Sequence, residues 1–377
     1  MKFIYIFLFI LLVGCSNDGS SLNDLEDTIE NIEISDDEMD SSDDEDTVDS
    51  PYFPPIGSGT WETITAEELG WNANSINELD TFLEENNTKA FIILKDGKIV
   101  VENYYQDTDA STNLQWNSAG KTLTASVVGI AQGEGFLDLG ESTTSYLGQG
   151  WTAMTEQQEA QITIRNQLTM TTGGDYNVDN TTCLDPECLL YLNAPNTEWY
   201  YHNAFYVLLQ DVITAAMGDP FNSYFNEKIK EAIGMNGTWV TIGNFRVYFS
   251  TARSMARFGL LNLNQGEWED TQIITPDFFT EMTTPSQSIN EAYGYLWWLN
   301  GQDSFRLPGT TETFTGKLIP SAPDDLIAGL GRNDQKLYIV PSEGLVVIRL
   351  GDASDASLPG PSGFDTDLWE KISAVIN

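Results

Sequence analysis

With 57 Asp and Glu set against 17 Lys and Arg in 377 residues, the chain carries a net charge of −40, a field that repels a polyanion and excludes nucleic acid as a partner. A single histidine, His202, argues against zinc chemistry, which ordinarily draws on two or three imidazoles, so neither a metal nor an organic cofactor is expected. No Gly-x-Ser-x-Gly elbow, Walker loop or Gly-x-Gly-x-x-Gly fingerprint occurs, which removes elbow-type serine hydrolases and the common nucleotide binders.

Lys2 and the apolar run Phe3 to Val13 read as a signal peptide, because eleven residues are too few to cross roughly 30 Å of hydrocarbon. The run ends in Leu12-Val13-Gly14-Cys15, which looks like a bacterial lipobox. Residues 1–14 are then removed and Cys15 carries acyl chains, palmitate among them, that hold a lipoprotein to a membrane. A periplasmic or cell-surface location, on the outer membrane, is the expectation. Residues 16–50 hold fifteen Asp and Glu and no Lys or Arg, a composition that cannot bury enough surface to offset its ordering entropy. The tether is assigned to residues 15–60 and one folded domain to residues 61–377. Outside the acidic stretch and Lys2, 16 Lys and Arg face 42 Asp and Glu, so residues 51–377 still carry −26. A monomer is expected.

Apolar residues at helical spacing predict a helix over Ser75–Glu85. Ala90–Leu94 and Ile99–Tyr104 then flank Lys95-Asp96-Gly97-Lys98, a hairpin turning on Asp-Gly. Ser118–Gln132 reads as a helix buried on nearly all sides. Cys183 and Cys188 flank a short loop, and in an exported protein a disulfide across it is the expectation; free thiols or a metal pair is the alternative. Helical patterns predominate from Ala160 to about Asn264, notably Phe205–Met217, Phe221–Ile233 and Thr251–Leu263. Strand-like runs return at Leu326–Leu330, Leu337–Val340 and Leu345–Leu350, before a helical stretch from Asp367 to Ile376. Strands and a helix at both ends with helices between them predict an α+β fold with a mainly helical inserted subdomain.

Ser118-Ala119-Gly120-Lys121 is the one Ser-x-x-Lys in the chain. On a helix, positions i and i+3 share a face, so hydroxyl and amine become neighbours, and burial of the amine lowers its pKa until it accepts the serine proton. Read alone, the tetrad also fits a serine cap beside an exposed lysine. Tyr201-His202-Asn203 follows 83 residues later; Tyr191-Leu192-Asn193 and Tyr224-Phe225-Asn226 share its pattern. Tyr201 is favoured because it sits just before the apolar helix from Phe205. A phenol shuttles a proton there, and the Asn203 amide orients the lysine and a substrate carbonyl.

These two motifs resemble those of the class C β-lactamase-like serine hydrolases, a group that includes β-lactamases, DD-peptidases, esterases and amide hydrolases. Ile162-Thr163-Ile164-Arg165 with Leu168-Thr169-Met170-Thr171-Thr172-Gly173-Gly174, then Ala256-Arg257-Phe258-Gly259 and Tyr293-Gly294-Tyr295 with Trp297-Trp298, are similar to its framework, and the resemblance runs from roughly residue 85 to 350. It implies a β-lactamase/transpeptidase-like fold, an antiparallel sheet flanked by terminal helices. It further implies Ser118 as acylated nucleophile, Lys121 as proton acceptor and Tyr201 as general acid or base. The family's Lys-Thr-Gly or His-x-Gly strand has no match; the corresponding strand is Leu326 to Gly331, where one N–H from Gly329 to Gly331, the two glycines being the candidates, is expected to join that of Ser118 in an oxyanion hole. Arg332 stands in for the missing cation. Trp199, Tyr200, Trp297 and Trp298 are read as walls for an apolar substrate, or as core. The expected function is hydrolysis of a small-molecule ester or amide outside the cytoplasm; the alternative is a tethered sensing module that does not turn over.

Overall fold

Asp96 and Gly97 both adopt left-handed backbone, with φ 48° and 85°, as a type I′ turn requires. They fold Thr88–Lys95 (β1) onto Lys98–Tyr104 (β2) in the hairpin read from the sequence. The computed structural model describes residues 51–354, 361 and 363–377. The predicted signal peptide, Cys15 and the acidic stretch to residue 50 lie outside the described residues.

Seven further strands complete the two sheets that matter for the site. They are Leu114–Gln115 (β3), Thr238–Ile242 (β4), Phe245–Ser250 (β5), Trp298–Leu299 (β6), Ile327–Gly331 (β7), Gln335–Val340 (β8) and Leu345–Gly351 (β9). The main sheet is antiparallel throughout, in the order β2-β1-β9-β8-β7-β6. Strands from the two ends of the chain therefore pair side by side, and residues between them form the insertion. β8 and β9 are buried along their whole length because helices cover both faces. Ala73–Glu85 (α1) packs with the last helix, Gly363–Ile376, and against β1; Ala252–Leu263 crosses β1, β8 and β9. This is the expected α+β arrangement of an antiparallel sheet flanked by terminal helices.

Two readings need correction. Residues 238–250, taken as part of a helical insertion, form the β4–β5 hairpin, which joins β3 in a three-stranded sheet. Its signal was present in the alternation of Thr238-Trp239-Val240-Thr241-Ile242 and in Gly243-Asn244, where Gly243 takes φ 59°, as the first position of a type II′ turn demands. The tether boundary at residue 60 also falls too late. Tyr52 donates its backbone N–H to Asp96 O at 2.9 Å, Phe53 packs on Trp268 with ring centroids 4.9 Å apart, and the buried Arg257 guanidinium donates to the carbonyls of Pro54 and Pro55 at 3.0 and 2.9 Å. Proline carbonyls keep full acceptor strength, so a segment that looks like linker by composition satisfies a buried cation. Among the described residues no helix is long and apolar enough to cross a membrane.

Behind the sheet, the fully buried Arg349 donates to Thr88 Oγ1 and to the carbonyls of Asn86, Asn333, Asp334 and Asp352, at 2.7 to 3.1 Å. Five acceptors around one guanidinium fix the turn that ends β7.

The helix Ala252–Leu263 approaches the sheet through Gly259, where a β-carbon would lie 2.4 Å from Val346 Cγ1. Gly259→Val is therefore expected to destabilise the domain by about 1–3 kcal/mol through overpacking. Urea denaturation measures it, and an unchanged midpoint would contradict this close approach.

Candidate active site

Trp116 anchors the segment that carries the serine. Its indole is fully buried, Nε1 donates to Ser250 Oγ at 2.9 Å, and its backbone N–H donates to Tyr248 O at 2.9 Å. The chain then makes one 3₁₀ turn, Asn117–Gly120, and continues as the α-helix Lys121–Gly133 (α2), buried from Lys121 through Ala131. The helix read from Ser118 thus starts three residues later. The 3₁₀ turn has a chemical consequence: with three residues per turn, side chains at i and i+3 eclipse. Lys121 Nζ donates to Ser118 Oγ at 3.0 Å.

Asn203 opens the short helix Asn203–Val207, and its Oδ1 accepts from Lys121 Nζ at 3.0 Å. The rings of Tyr206 and Tyr201 close over the amine, with centroids 3.9 and 4.8 Å from Nζ. Tyr201 stacks on Trp298 at 6.0 Å and 17°, and its phenol lies near enough to Ser118 for the serine hydroxyl to influence its titration. Ser118, Lys121, Tyr201 and Asn203 therefore converge. The other two Tyr-x-Asn candidates stand apart: Tyr224 donates to Glu134 and Tyr191 is exposed.

Burial sets the protonation states. Desolvation pushes the Lys121 amine well below the ordinary lysine value, which favours the neutral base. Burial also raises the Tyr201 phenol, partly offset by the nearby Ser118 hydroxyl, so it keeps its proton at neutral pH. His202 has no part in this cluster. Burial lowers its pKa to about 4, so the ring is neutral at pH 7, and its Nε2 lies 3.3 Å from the Asp175 carbonyl.

The strand β7 runs over the turn that carries Ser118. A β-carbon at Gly331 would sit 2.4 Å from Trp116 O, and one at Gly329 3.2 Å from Thr122 Cγ2, so both glycines serve by lacking a side chain. Neither amide faces the site. Asn300 N–H donates to Leu326 O at 2.9 Å, and Ala328 pairs with Trp298. Alternation in an antiparallel ladder then turns the peptide groups of 326, 328 and 330 toward β6 and those of 327, 329 and 331 toward β8. β6 begins at Trp298, leaving the Leu330 N–H aimed at open space. Of the three amides from Gly329 to Gly331, the one turned toward the cleft is therefore that of Leu330, which lines it.

That cleft has a volume of about 780 Å³. Trp298, Tyr200 and Arg332 line it, whereas Trp199 and Trp297 are core. Sequence reasoning missed the wall formed by Ile242 to Val247 of the β4–β5 hairpin, together with Asn117, Thr181 and Thr182. Thr181 and Thr182 lie beside the Cys183–Cys188 disulfide, which is formed. Among the described residues no carboxylate lines the cleft. Among the described residues no group of His, Cys, Asp and Glu side chains is arranged to hold a metal.

A serine beside a buried lysine, under the open edge of an antiparallel sheet, defines a serine-hydrolase-like protein. The chain belongs to the beta-lactamase family, whose model matches residues 83–350. No curated protein matches it. Among solved structures it resembles the "Putative 6-aminohexanoate-dimer hydrolase from Bacillus anthracis" at 19% identity, covering 86% of this chain and 88% of that one with a TM-score of 0.64. It also resembles a novel penicillin-binding protein homologue from Caulobacter crescentus at 14% identity, covering 80% and 98% with a TM-score of 0.60. These likenesses establish the shared fold.

A neutral buried lysine costs stability wherever the unfolded chain would protonate it. Below the ordinary value of 10.5 the unfolded chain binds a proton at this amine that the folded chain does not. The cost therefore grows as pH falls from there and levels off below the depressed folded pKa. Lys121→Met is expected to raise the Tm at pH 7 by more than at about pH 9.5. Thermal unfolding at both pH values checks it; an equal change at each would show that the amine is not depressed.

Proposed function

We propose that the domain hydrolyses a small-molecule ester or amide through an acyl-enzyme on Ser118. The observation that carries this reading is the Lys121 amine, buried, hydrogen bonded to both Ser118 and Asn203, and enclosed by two tyrosine rings. As Ser118 Oγ attacks the substrate carbonyl, its proton passes to Lys121 Nζ. The oxyanion that forms accepts from the N–H groups of Ser118 and Leu330. Tyr201, beside Ser118, relays the proton to the leaving alcohol or amine as the carbonyl carbon's bond to it breaks. Water then attacks the acyl carbon and returns the proton to Ser118 through the same groups. The resemblance to a 6-aminohexanoate-dimer hydrolase and to a penicillin-binding protein homologue supports acyl transfer chemistry of this kind.

Charge in the cleft points to part of the substrate. Arg246 is held bidentately by Asp211 at 2.7 and 2.9 Å. Arg332 is exposed at the rim and makes no ion pair among the described residues. We assign it to an anionic group of the substrate, in place of the family's strand cation. We further place the domain outside the cytoplasm on a lipidated Cys15, supported by the leader and by the Cys183–Cys188 disulfide.

A fluorophosphonate probe is expected to label the parent chain and to leave Ser118→Ala unlabelled; labelling of the variant would remove Ser118 as nucleophile. Turnover of p-nitrophenyl esters and a chromogenic cephalosporin should fall about 10²- to 10⁴-fold in Tyr201→Phe, and Arg332→Ala should raise KM for acidic substrates alone. Release of at most one equivalent of product by the parent would instead mark a sensing module. Lipid attachment is tested by radiolabelled palmitate, which the parent should incorporate and Cys15→Ala should not; equal labelling would exclude the anchor.

A further inference from the structure

Asn117, immediately before the nucleophile, has no part in the roles above. Its backbone stands in the left-handed region at φ 49°, a conformation that asparagine tolerates better than most side chains. Its Nδ2 donates to the carbonyl of Arg332 at 2.7 Å, a bond from the nucleophile turn to the turn that ends β7. The acceptor is fixed from behind. Gln335 Nε2 donates to the same carbonyl at 3.3 Å, and Arg349 holds the next two carbonyls, of Asn333 and Asp334, at 3.0 and 3.1 Å. The nucleophile turn is fixed on its other side by Trp116.

The two donors of the oxyanion hole come from different elements, Ser118 from the 3₁₀ turn and Leu330 from the free edge of β7. Their separation depends on how the turn and the strand are held together, and misplacement of about 1 Å costs up to about 10²-fold in rate. At Gly331 there is no room even for a β-carbon, which would stand 2.4 Å from Trp116 O, so the two cannot move much closer, and the Asn117 bond resists their moving apart. We propose that Asn117 is a positioning residue that sets the width of the oxyanion hole, its amide tying the nucleophile turn to the strand that carries the second donor. This rests on the assignment of Ser118 as nucleophile.

Asn117→Gly retains access to the left-handed backbone and removes the tie; Asn117→Asp keeps the backbone preference and replaces the donor by a carboxylate facing a carbonyl. Both are expected to lower kcat for p-nitrophenyl esters about 10- to 100-fold, below or at the loss seen when an oxyanion donor is removed outright. KM should stay near the parent's, and the loss should be the same for acetyl and longer acyl esters, since the oxyanion is common to all. Rates are referred to folded chain, measured by circular dichroism, so that a less stable variant still reports. Parent-like kcat in either variant would overturn the proposal, as would a loss confined to KM or to one ester, which marks direct substrate contact. Fluorophosphonate labelling separates the two levels: a labelled parent with unimpaired Asn117 variants sinks the tie alone, whereas a parent that is not labelled at Ser118 sinks the hydrolase reading with it.

Discussion

A lysine amine held out of water without a counter-charge is the constraint around which the domain is built. Solvent would protonate it, so its depressed basicity depends on a dry surround. That surround draws on parts of the chain that are distant in sequence. The helix α2 is buried on every side, the helix from Asn203 brings the amide that accepts from the amine, and the faces of Tyr201 and Tyr206 close over it. Each of these adds to the burial that holds the amine below its ordinary basicity.

The same economy of position governs the sheet. Strands from the first and last thirds of the chain lie side by side, and the segment between them carries the phenol and the cleft's hairpin wall. Trp116 pins the serine turn to β5, while Gly329 and Gly331 let β7 pass directly over it. The site is therefore assembled at a seam between the main sheet and the insertion. Neither half alone brings together Ser118, Lys121, Tyr201, Asn203 and Leu330.

Electrostatics add a contrast between exterior and cleft. Residues 51–377 carry −26, yet among the described residues no carboxylate lines the cleft, where Arg246 is paired and Arg332 makes no ion pair. At physiological ionic strength charges separated by more than about 8 Å are largely screened, so the acidic exterior acts weakly inside. A group bound near the rim experiences mainly the arginine.

Much of this was legible in the sequence wherever the information is local. Asp96-Gly97 specified its turn, the apolar periods specified the helices and buried strands, and the three-residue spacing of Ser118 and Lys121 required that they meet on any helical turn. Tyr201 was separable from Tyr191 and Tyr224 by the apolar helix that follows it. Only the tertiary structure decided that Leu330, rather than either neighbouring glycine, presents its amide to the site, because the direction of a peptide group depends on register against a partner strand. It likewise decided that Trp199 and Trp297 are core while Trp298 lines the cleft, and that Pro54 and Pro55 dock on Arg257. Spacing along a chain encodes contacts within one turn; which distant groups face one another is set by how buried surfaces pack, and no single segment records that.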